Sequence, residues 1–277
     1  MWAIGGKSCP VQGFEYAVLG GSLLLSVALL LVCLLLFSFR KTWARKAGRS
    51  VGMVEGQNLG WLDLSAVGLI FAVYLGNWID HGRIRDPEAI SNGLLVSQLI
   101  LQLGFIGVVL GMLYWRENLA SFWGLRPGRY WWVIGVTFAG YVAYTVLLEF
   151  LWLMGFQDWT DWAFAQKSWP APEGEPPTLL FWVLWGLITV IVAPLSEEVV
   201  FRGYLYPVLK RMGGAWLAAV AISLFFAAAH LEGSFLLARF ALSLILILAY
   251  ELTGSLWAPI GIHFLNNGYV FVGNFVD

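Results

Sequence analysis

Charged side chains are scarce in this sequence. They make up 12% of the 277 residues, whereas hydrophobic residues make up 60% and the mean hydropathy is +0.76. A soluble domain of this length carries about 25% charged residues, so half of the usual polar surface is missing. The deficit excludes an ordinary soluble domain and indicates a protein whose outer surface meets lipid.

Cysteine and clustered basic residues are also lacking. Cys9 and Cys33 are the two cysteines, and neither their number nor their placement predicts a disulfide framework or a thiolate metal site. The formal net charge is −1, and no run of basic residues forms a phosphate-binding stripe. We therefore expect no nucleic-acid partner.

Long apolar runs bordered by aromatic residues are abundant. Sixteen Trp and ten Tyr suggest the aromatic belts found at membrane interfaces. A spanning helix needs about 20 mostly apolar residues. We therefore predict an all-α integral membrane protein of about eight transmembrane helices, at residues 17–39, 61–79, 90–115, 130–154, 179–200 continuing towards 209, 215–231, 235–252 and 256–276.

The ends of these runs predict how the chain is oriented. The first run is longer than a signal-peptide core of about 7–15 residues and is followed by Arg40-Lys41, so we interpret it as a retained helix. Lys and Arg concentrate in the connections 40–60, 116–129 and 202–214, and the positive-inside rule places such connections in the cytoplasm. This predicts an N-terminus outside the plasma (inner) membrane of a prokaryote.

A connection rich in Trp and Pro at residues 155–178 divides the chain. We expect an N-terminal transmembrane region at residues 1–178 and a core at residues 179–277, each with about four helices. The connection itself is compatible with a loop that caps a cavity or with an inert linker.

Ionisable groups inside apolar helices concentrate in the second half. Each costs several kcal/mol to insert, so its presence suggests a function. Glu198 and Arg202 are four residues apart, so their charges can pair on one helix face. Glu197 is rotated by about 100° from Glu198 and lacks that counter-ion, which suits a general base.

The last helices of the second half carry further polar residues. His263 and Asn267 share the i,i+4 spacing and could hold a developing oxyanion together. Phe226 has the same spacing to His230, so the ring can pack against the imidazole. The competing interpretation is structural, because a Glu198–Arg202 pair often serves only stability. Glu149 and Arg239 are compatible with side chains that extend towards an interface, and His81 with a solvated loop.

At these residues the sequence resembles the CPBP family, which contains the type II CAAX prenyl proteases and their bacterial relatives. Its motifs Glu-Glu-x-x-x-Arg, Phe-x-x-x-His and His-x-x-x-Asn correspond to residues 197–202, 226–230 and 263–267. Residues 124–127, Gly-Leu-Arg-Pro, are similar to a short stretch that often precedes the core. The resemblance covers roughly residues 179–273.

The resemblance implies helices that enclose a polar cavity, and a glutamate-dependent peptide hydrolysis without a cofactor. Glu197 and His230 would activate water, and His263 with Asn267 would hold the oxyanion. Supporting roles would fall to Glu198, Arg202 and Phe226. The expected partners are the lipid bilayer and a membrane-associated protein or peptide substrate.

Three other functions compete with this one. Glu197, His230 and His263 are also the ligand types of a catalytic zinc site, although the motif His-Glu-x-x-His is absent. A transporter would carry broken helices in both halves, whereas the first half here has few charges. A non-catalytic scaffold or immunity protein could retain the same motifs.

Overall fold

The described part of the chain is helical. The structure is a computed structural model and describes residues 54, 59–81, 91–126, 128–154, 178–230 and 236–273. Within these residues there is no strand, which confirms the all-α prediction for them. The helices are α1 (Trp61–His81), α2 (Asn92–Leu113), α3 (Leu119–Phe122), α4 (Tyr130–Leu153), α5 (Leu179–Gly213), α6 (Ala215–Ala229), α7 (Leu236–Thr253) and α8 (Trp257–Gly273).

Every apolar run predicted from residue 61 onward corresponds to one helix, and only the four-residue α3 was not expected. Three described helices are long and apolar enough to cross a membrane, at Asn92–Leu113, Tyr130–Leu151 and Leu179–Gly213. Two shorter apolar helices lie at Leu62–Val73 and Ala215–Ala229. The run 17–39, both cysteines and residues 155–177 of the divided connection lie outside the described residues. The total of eight spans, the polar cavity and the orientation stay predictions.

Helix α5 departs twice from α-helical geometry. Its π-helical segments, π1 (Leu187–Val192) and π2 (Phe201–Leu205), flank a short α-helical stretch at Ala193–Val200. A proline comes shortly after each π segment, at Pro194 and Pro207. Single π turns inside α-helices occur frequently at functional sites, and the stretch between these two carries the adjacent glutamates.

The predicted cytoplasmic connection at residues 202–214 is not a loop, and its side of the membrane stays a prediction. The chain is helical to Gly213, and Gly214, with φ of 84°, makes the link to α6. Arg202 is fully buried rather than exposed in a loop. The sequence allowed the run to continue towards residue 209, but it did not show that local partners compensate the charge of Arg202 inside the bundle.

Helices α4 and α8 approach closely where one of them carries glycine. A Cβ at Gly261 would lie 2.7 Å from Thr137 Cγ2, and one at Gly140 would lie 2.6 Å from Ile262 Cδ1. Small residues of this kind let membrane helices pack backbone to backbone. This contact holds α8, which carries His263, against the rest of the bundle.

Two polar clusters secure the C-terminal half of α5. Arg116 binds Asp63 through two hydrogen bonds of 2.6 and 2.8 Å, and Tyr204 Oη donates to the same carboxylate at 2.9 Å. Asp63 is fully buried. In the second cluster, Glu251 accepts from Tyr206 Oη at 2.7 Å and from Lys210 Nζ at 2.5 Å. The sequence analysis assigned no role to these carboxylates.

The stretch after α3 is docked on the turn between α7 and α8. Successive carbonyls accept hydrogen bonds across this contact: Leu256 N donates to Trp123 O at 2.8 Å, Ser255 Oγ to Gly124 O at 2.7 Å, and Trp257 Nε1 to Leu125 O at 3.2 Å. Gly124 has φ of 57°, a conformation that favours glycine. The resemblance placed a motif at residues 124–127, and the structure shows that its described part joins the two halves of the chain.

Candidate active site

The predicted pair between Glu198 and Arg202 forms inside the bundle. Arg202 Nη1 donates to Glu198 Oε1 at 2.9 Å, and both side chains are completely buried. Helix α7 supplies the remaining partner, because Arg202 Nη2 donates to Ser243 Oγ at 2.8 Å. Ser243 is buried as well, and nothing in the sequence indicated that this serine would be the partner of Arg202.

Glu197 turns away from Arg202 and meets two histidines from other helices. Its Oε2 atom lies 3.3 Å from His230 Nε2 and 3.9 Å from His263 Nε2. His230 follows the last residue of α6, and His263 lies within α8. Three residues far apart in sequence therefore direct three polar atoms at one point.

The partners of each Nδ1 atom determine where the histidines carry their protons. His230 Nδ1 lies 2.7 Å from the Phe226 carbonyl oxygen, which can only accept, so this nitrogen is the donor. His263 Nδ1 lies 2.8 Å from Glu198 Oε1. Because Glu198 is paired with an arginine, it is a carboxylate and also only accepts. Each neutral ring consequently has its lone pair on Nε2.

The site therefore brings together three hydrogen-bond acceptors. Within the described part of the chain, Glu197 Oε2 is buried and receives no hydrogen bond. The neutral Nε2 atoms of His230 and His263 are acceptors too. A molecule that donates two hydrogen bonds can satisfy these acceptors, and so can a proton that binds to one of them. Water is the smallest such molecule.

Phe226 packs against both histidine rings and the Arg202 guanidinium. Its ring centroid lies 4.6 Å from that of His230 and 5.9 Å from that of His263. The Arg202 guanidinium carbon lies 4.5 Å from the same ring, within the range of a cation–π contact. The predicted contact between Phe226 and His230 is confirmed, and the ring additionally fixes Arg202.

Asn267 binds the backbone of α5. Its Nδ2 atom donates to the Thr189 carbonyl at 3.0 Å, and its Oδ1 atom accepts from Asn266 Nδ2 at 3.1 Å. Because a carbonyl only accepts, the Thr189 contact determines which amide atom is nitrogen. One N–H of Asn267 is thus committed to π1 and one is left for a ligand.

A zinc site is the competing interpretation of Glu197, His230 and His263. Among the residues that the structure describes, no three His, Cys, Asp or Glu side chains are grouped so that they could hold a metal ion. His263 Nδ1 is engaged by Glu198, which leaves Nε2 of both histidines as the nitrogens that face Glu197. The catalytic and supporting roles assigned from the sequence stay predictions at this point.

Comparison with known proteins supports the resemblance seen in the motifs. Residues 179–269 match the family model described as type II CAAX prenyl endopeptidase, Rce1-like. Over 88 residues the chain is 40% identical to the membrane-embedded CAAX protease MroQ of Staphylococcus aureus (strain USA300). The matched stretch covers 30% of this chain and 36% of that protein, so the chain spans about a third of the curated relative. No solved structure matches the chain at a significant level.

The family match and the motif positions coincide. The three motifs lie in order on α5, α6 and α8, and all of them fall inside the matched stretch. The predicted resemblance to the type II CAAX prenyl proteases is therefore confirmed. The chain is an integral membrane protein whose residues 179–269 are similar to the Rce1-like type II CAAX prenyl endopeptidases.

Proposed function

We propose that this protein is an intramembrane glutamate-type endopeptidase. The observation that carries the proposal is the convergence of Glu197 Oε2, His230 Nε2 and His263 Nε2 on one buried point. A water molecule bound beside this point can donate a hydrogen to the Glu197 carboxylate, with the neutral His230 ring as a second acceptor nearby. Its oxygen lone pairs are then free to attack a carbonyl carbon.

The first chemical step follows from these contacts. Glu197 acts as general base and takes a proton from the water as its oxygen bonds to the scissile carbonyl carbon. The carbonyl π electrons move to oxygen and form an oxyanion. In the active form that we propose, His263 has taken up one further proton from solvent on Nε2, and Glu198 balances its charge. This Nε2–H donates to the oxyanion, and the second N–H of Asn267 donates as well.

The second step breaks the peptide bond. The proton held by Glu197 passes, directly or through His230, to the leaving nitrogen as the carbon–nitrogen bond breaks. The products are a carboxylic acid and an amine, and Glu197 returns to its carboxylate form. In this scheme Glu198, Arg202 and Phe226 support the site without touching the reacting atoms.

The substrate class follows from the family and from the membrane location. The relative from Staphylococcus aureus is named a membrane-embedded CAAX protease. For this chain we propose a membrane-associated or lipid-modified protein or peptide as substrate, processed in the plasma membrane of a prokaryote with the N-terminus outside.

The test compares membrane peptides from cells that carry the wild-type protein or the Glu197→Gln variant. This change keeps the side-chain size but removes the base, and we expect one or more peptides to stay uncleaved in the variant. Glu149→Gln is the matched control, because Glu149 is an exposed residue of the apolar helix α4. Equal peptide patterns in wild type and Glu197→Gln would refute the proteolytic function and support a scaffold or immunity protein.

A zinc-dependent mechanism is tested on the purified wild-type protein. We expect cleavage by the purified protein to survive dialysis against a chelator. Stoichiometric bound zinc, together with activity that is lost on dialysis and regained on zinc addition, would replace the metal-free mechanism by one in which Glu197, His230 and His263 are ligands.

A further inference from the structure

Trp123 makes a buried contact with the helix that carries the paired glutamates. Its indole Nε1 donates to the Gly203 carbonyl oxygen at 2.9 Å, across 80 positions of sequence. Trp123 is 5% exposed, and Gly203 is buried within π2. A Cβ on Gly203 would lie 2.9 Å from the same indole nitrogen, so residue 203 must be small for this bond to form.

Pro207 cannot supply the α-helical donor to the Gly203 carbonyl. In an α-helix the carbonyl of residue 203 accepts from the N–H of residue 207, and proline has no N–H. Tyr206 N–H, the preceding donor, reaches back five residues to the Phe201 carbonyl in the π register. The indole of Trp123 therefore supplies the hydrogen that Pro207 lacks.

The other π segment also receives a side-chain donor close to its proline. Ala193 N–H donates to the Ile188 carbonyl, five residues back. Continuing this register would pair residue 194 with the Thr189 carbonyl, but Pro194 has no N–H. Asn267 Nδ2 donates to Thr189 O instead, at 3.0 Å. Near each proline in α5, a side chain from another part of the fold thus donates to a carbonyl of the adjoining π segment.

The Trp123 contact lies beside the buried ion pair. Gly203 directly follows Arg202, whose guanidinium binds Glu198, and Glu198 in turn binds His263 Nδ1. The backbone of π2 determines where Arg202 points relative to Glu198. A loss of the Gly203 bond is consequently transmitted, through Arg202 and Glu198, to the orientation of the His263 ring.

From this geometry we propose that Trp123 is a positioning residue for the peptidase, and that its indole N–H holds π2 in register by replacing the donor that Pro207 cannot supply. The proposal rests on the proposed function. Trp123 lies outside residues 179–269, so the N-terminal half of the chain contributes directly to the geometry of the site.

The test combines three variants of the full-length protein, assayed on a peptide cleaved by wild type and not by Glu197→Gln. Trp123→Phe keeps an aromatic ring and removes the N–H, and we expect kcat to fall about tenfold with little change in KM, as the loss of one buried hydrogen bond allows. Pro207→Ala restores a backbone N–H that can reach Gly203 O. In the double variant we therefore expect kcat to return to within about twofold of Pro207→Ala alone.

Trp132→Phe is the matched control. Its indole also donates to a helix carbonyl, that of Leu252 at 3.1 Å, but it is exposed and remote in sequence from the site motifs. We expect it to leave kcat unchanged. A wild-type kcat for Trp123→Phe, or a reduced kcat that Pro207→Ala does not rescue, would overturn the proposal.

Two further results are distinguishable from these. If Trp123→Phe fails to accumulate in membranes while the double variant accumulates and is active, the rescue supports the proposal. If neither variant accumulates, Trp123 serves packing and the proposal is overturned. Equal cleavage by wild type and Glu197→Gln refutes the proposed function, whereas the accumulation and thermal stability of the Trp123 and Pro207 variants still report whether the two residues are coupled.

Discussion

His263 Nδ1 lies 2.8 Å from Glu198 Oε1, the same oxygen that accepts a hydrogen bond from Arg202 Nη1. Glu198 is therefore more than the partner of a structural arginine. Its carboxylate requires a proton on His263 Nδ1 and, when the ring is doubly protonated, balances its charge. The Nε2–H that the proposed mechanism directs at the oxyanion depends on this contact.

Replacing Glu198 by Gln should reduce catalysis without preventing substrate binding. The amide keeps the side-chain volume but cannot balance the charge of a doubly protonated His263, so we expect kcat to fall by about ten- to a hundredfold. The variant also leaves Arg202 buried without its counter-ion, which costs about 3–5 kcal/mol of stability.

The two effects are separated by measuring kcat and KM well below the unfolding temperature, on protein that elutes as a single species. Glu149→Gln controls for the loss of a carboxylate elsewhere in the membrane region. A folded Glu198→Gln protein with wild-type kcat would show that Glu198 serves stability alone.

Replacing Arg116 by Met should destabilise the protein while leaving its chemistry intact. Asp63 is fully buried and bound by Arg116 at both oxygens, so the variant leaves a buried carboxylate without its cation. We expect a loss of about 3 kcal/mol, measured as a shift in the denaturant midpoint in detergent. Arg129→Met, at an exposed position, should cause no comparable shift.

The double variant Asp63→Asn/Arg116→Met removes the stranded charge. It should be more stable than Arg116→Met alone, because most of the cost comes from the unpaired carboxylate. If the effects of the two changes were simply additive, the pair would not be coupled and the prediction would fail.

Replacing Gly124 by Ala should disrupt the junction between the two halves of the chain. A Cβ there would overlap the Gly254 carbonyl oxygen, and the residue has φ of 57°. The positive φ alone costs about 1–2 kcal/mol for alanine, and relief of the backbone clash adds to it. We expect the thermal unfolding temperature in detergent to drop and the protein to accumulate less in membranes.

Gly128→Ala is the matched control, because a Cβ at this nearby position meets nothing within 4 Å. It should behave as wild type. Equal unfolding temperatures for the two alanine variants would show that the close contact between residues 124 and 254 does not contribute to stability.

Local spacing correctly predicted those contacts that lie on a single helix. Glu198 pairs with Arg202, and Phe226 packs against His230, because residues four apart share a helix face at any position in the fold. The sequence also predicted each described helix of more than four residues, since a long apolar run can satisfy its backbone in lipid only as a helix.

Contacts between helices were predicted less well. The i,i+4 spacing predicts a joint oxyanion site for His263 and Asn267, which stays a prediction, but it did not indicate that His263 binds Glu198 or that Asn267 binds the Thr189 carbonyl. Spacing within one helix does not state what lies opposite each residue. That depends on the rotation and depth of the neighbouring helix.

By itself the sequence determined the membrane character, the helices and the set of polar residues from which the site is built, because hydropathy and helical period are local properties. The tertiary structure decided that Glu197 meets His230 and His263, that Trp123 binds Gly203, and that two π segments flank the glutamates. The register between packed helices arises from contacts between distant residues, such as the glycines that let α4 and α8 approach each other. No local pattern contains that information.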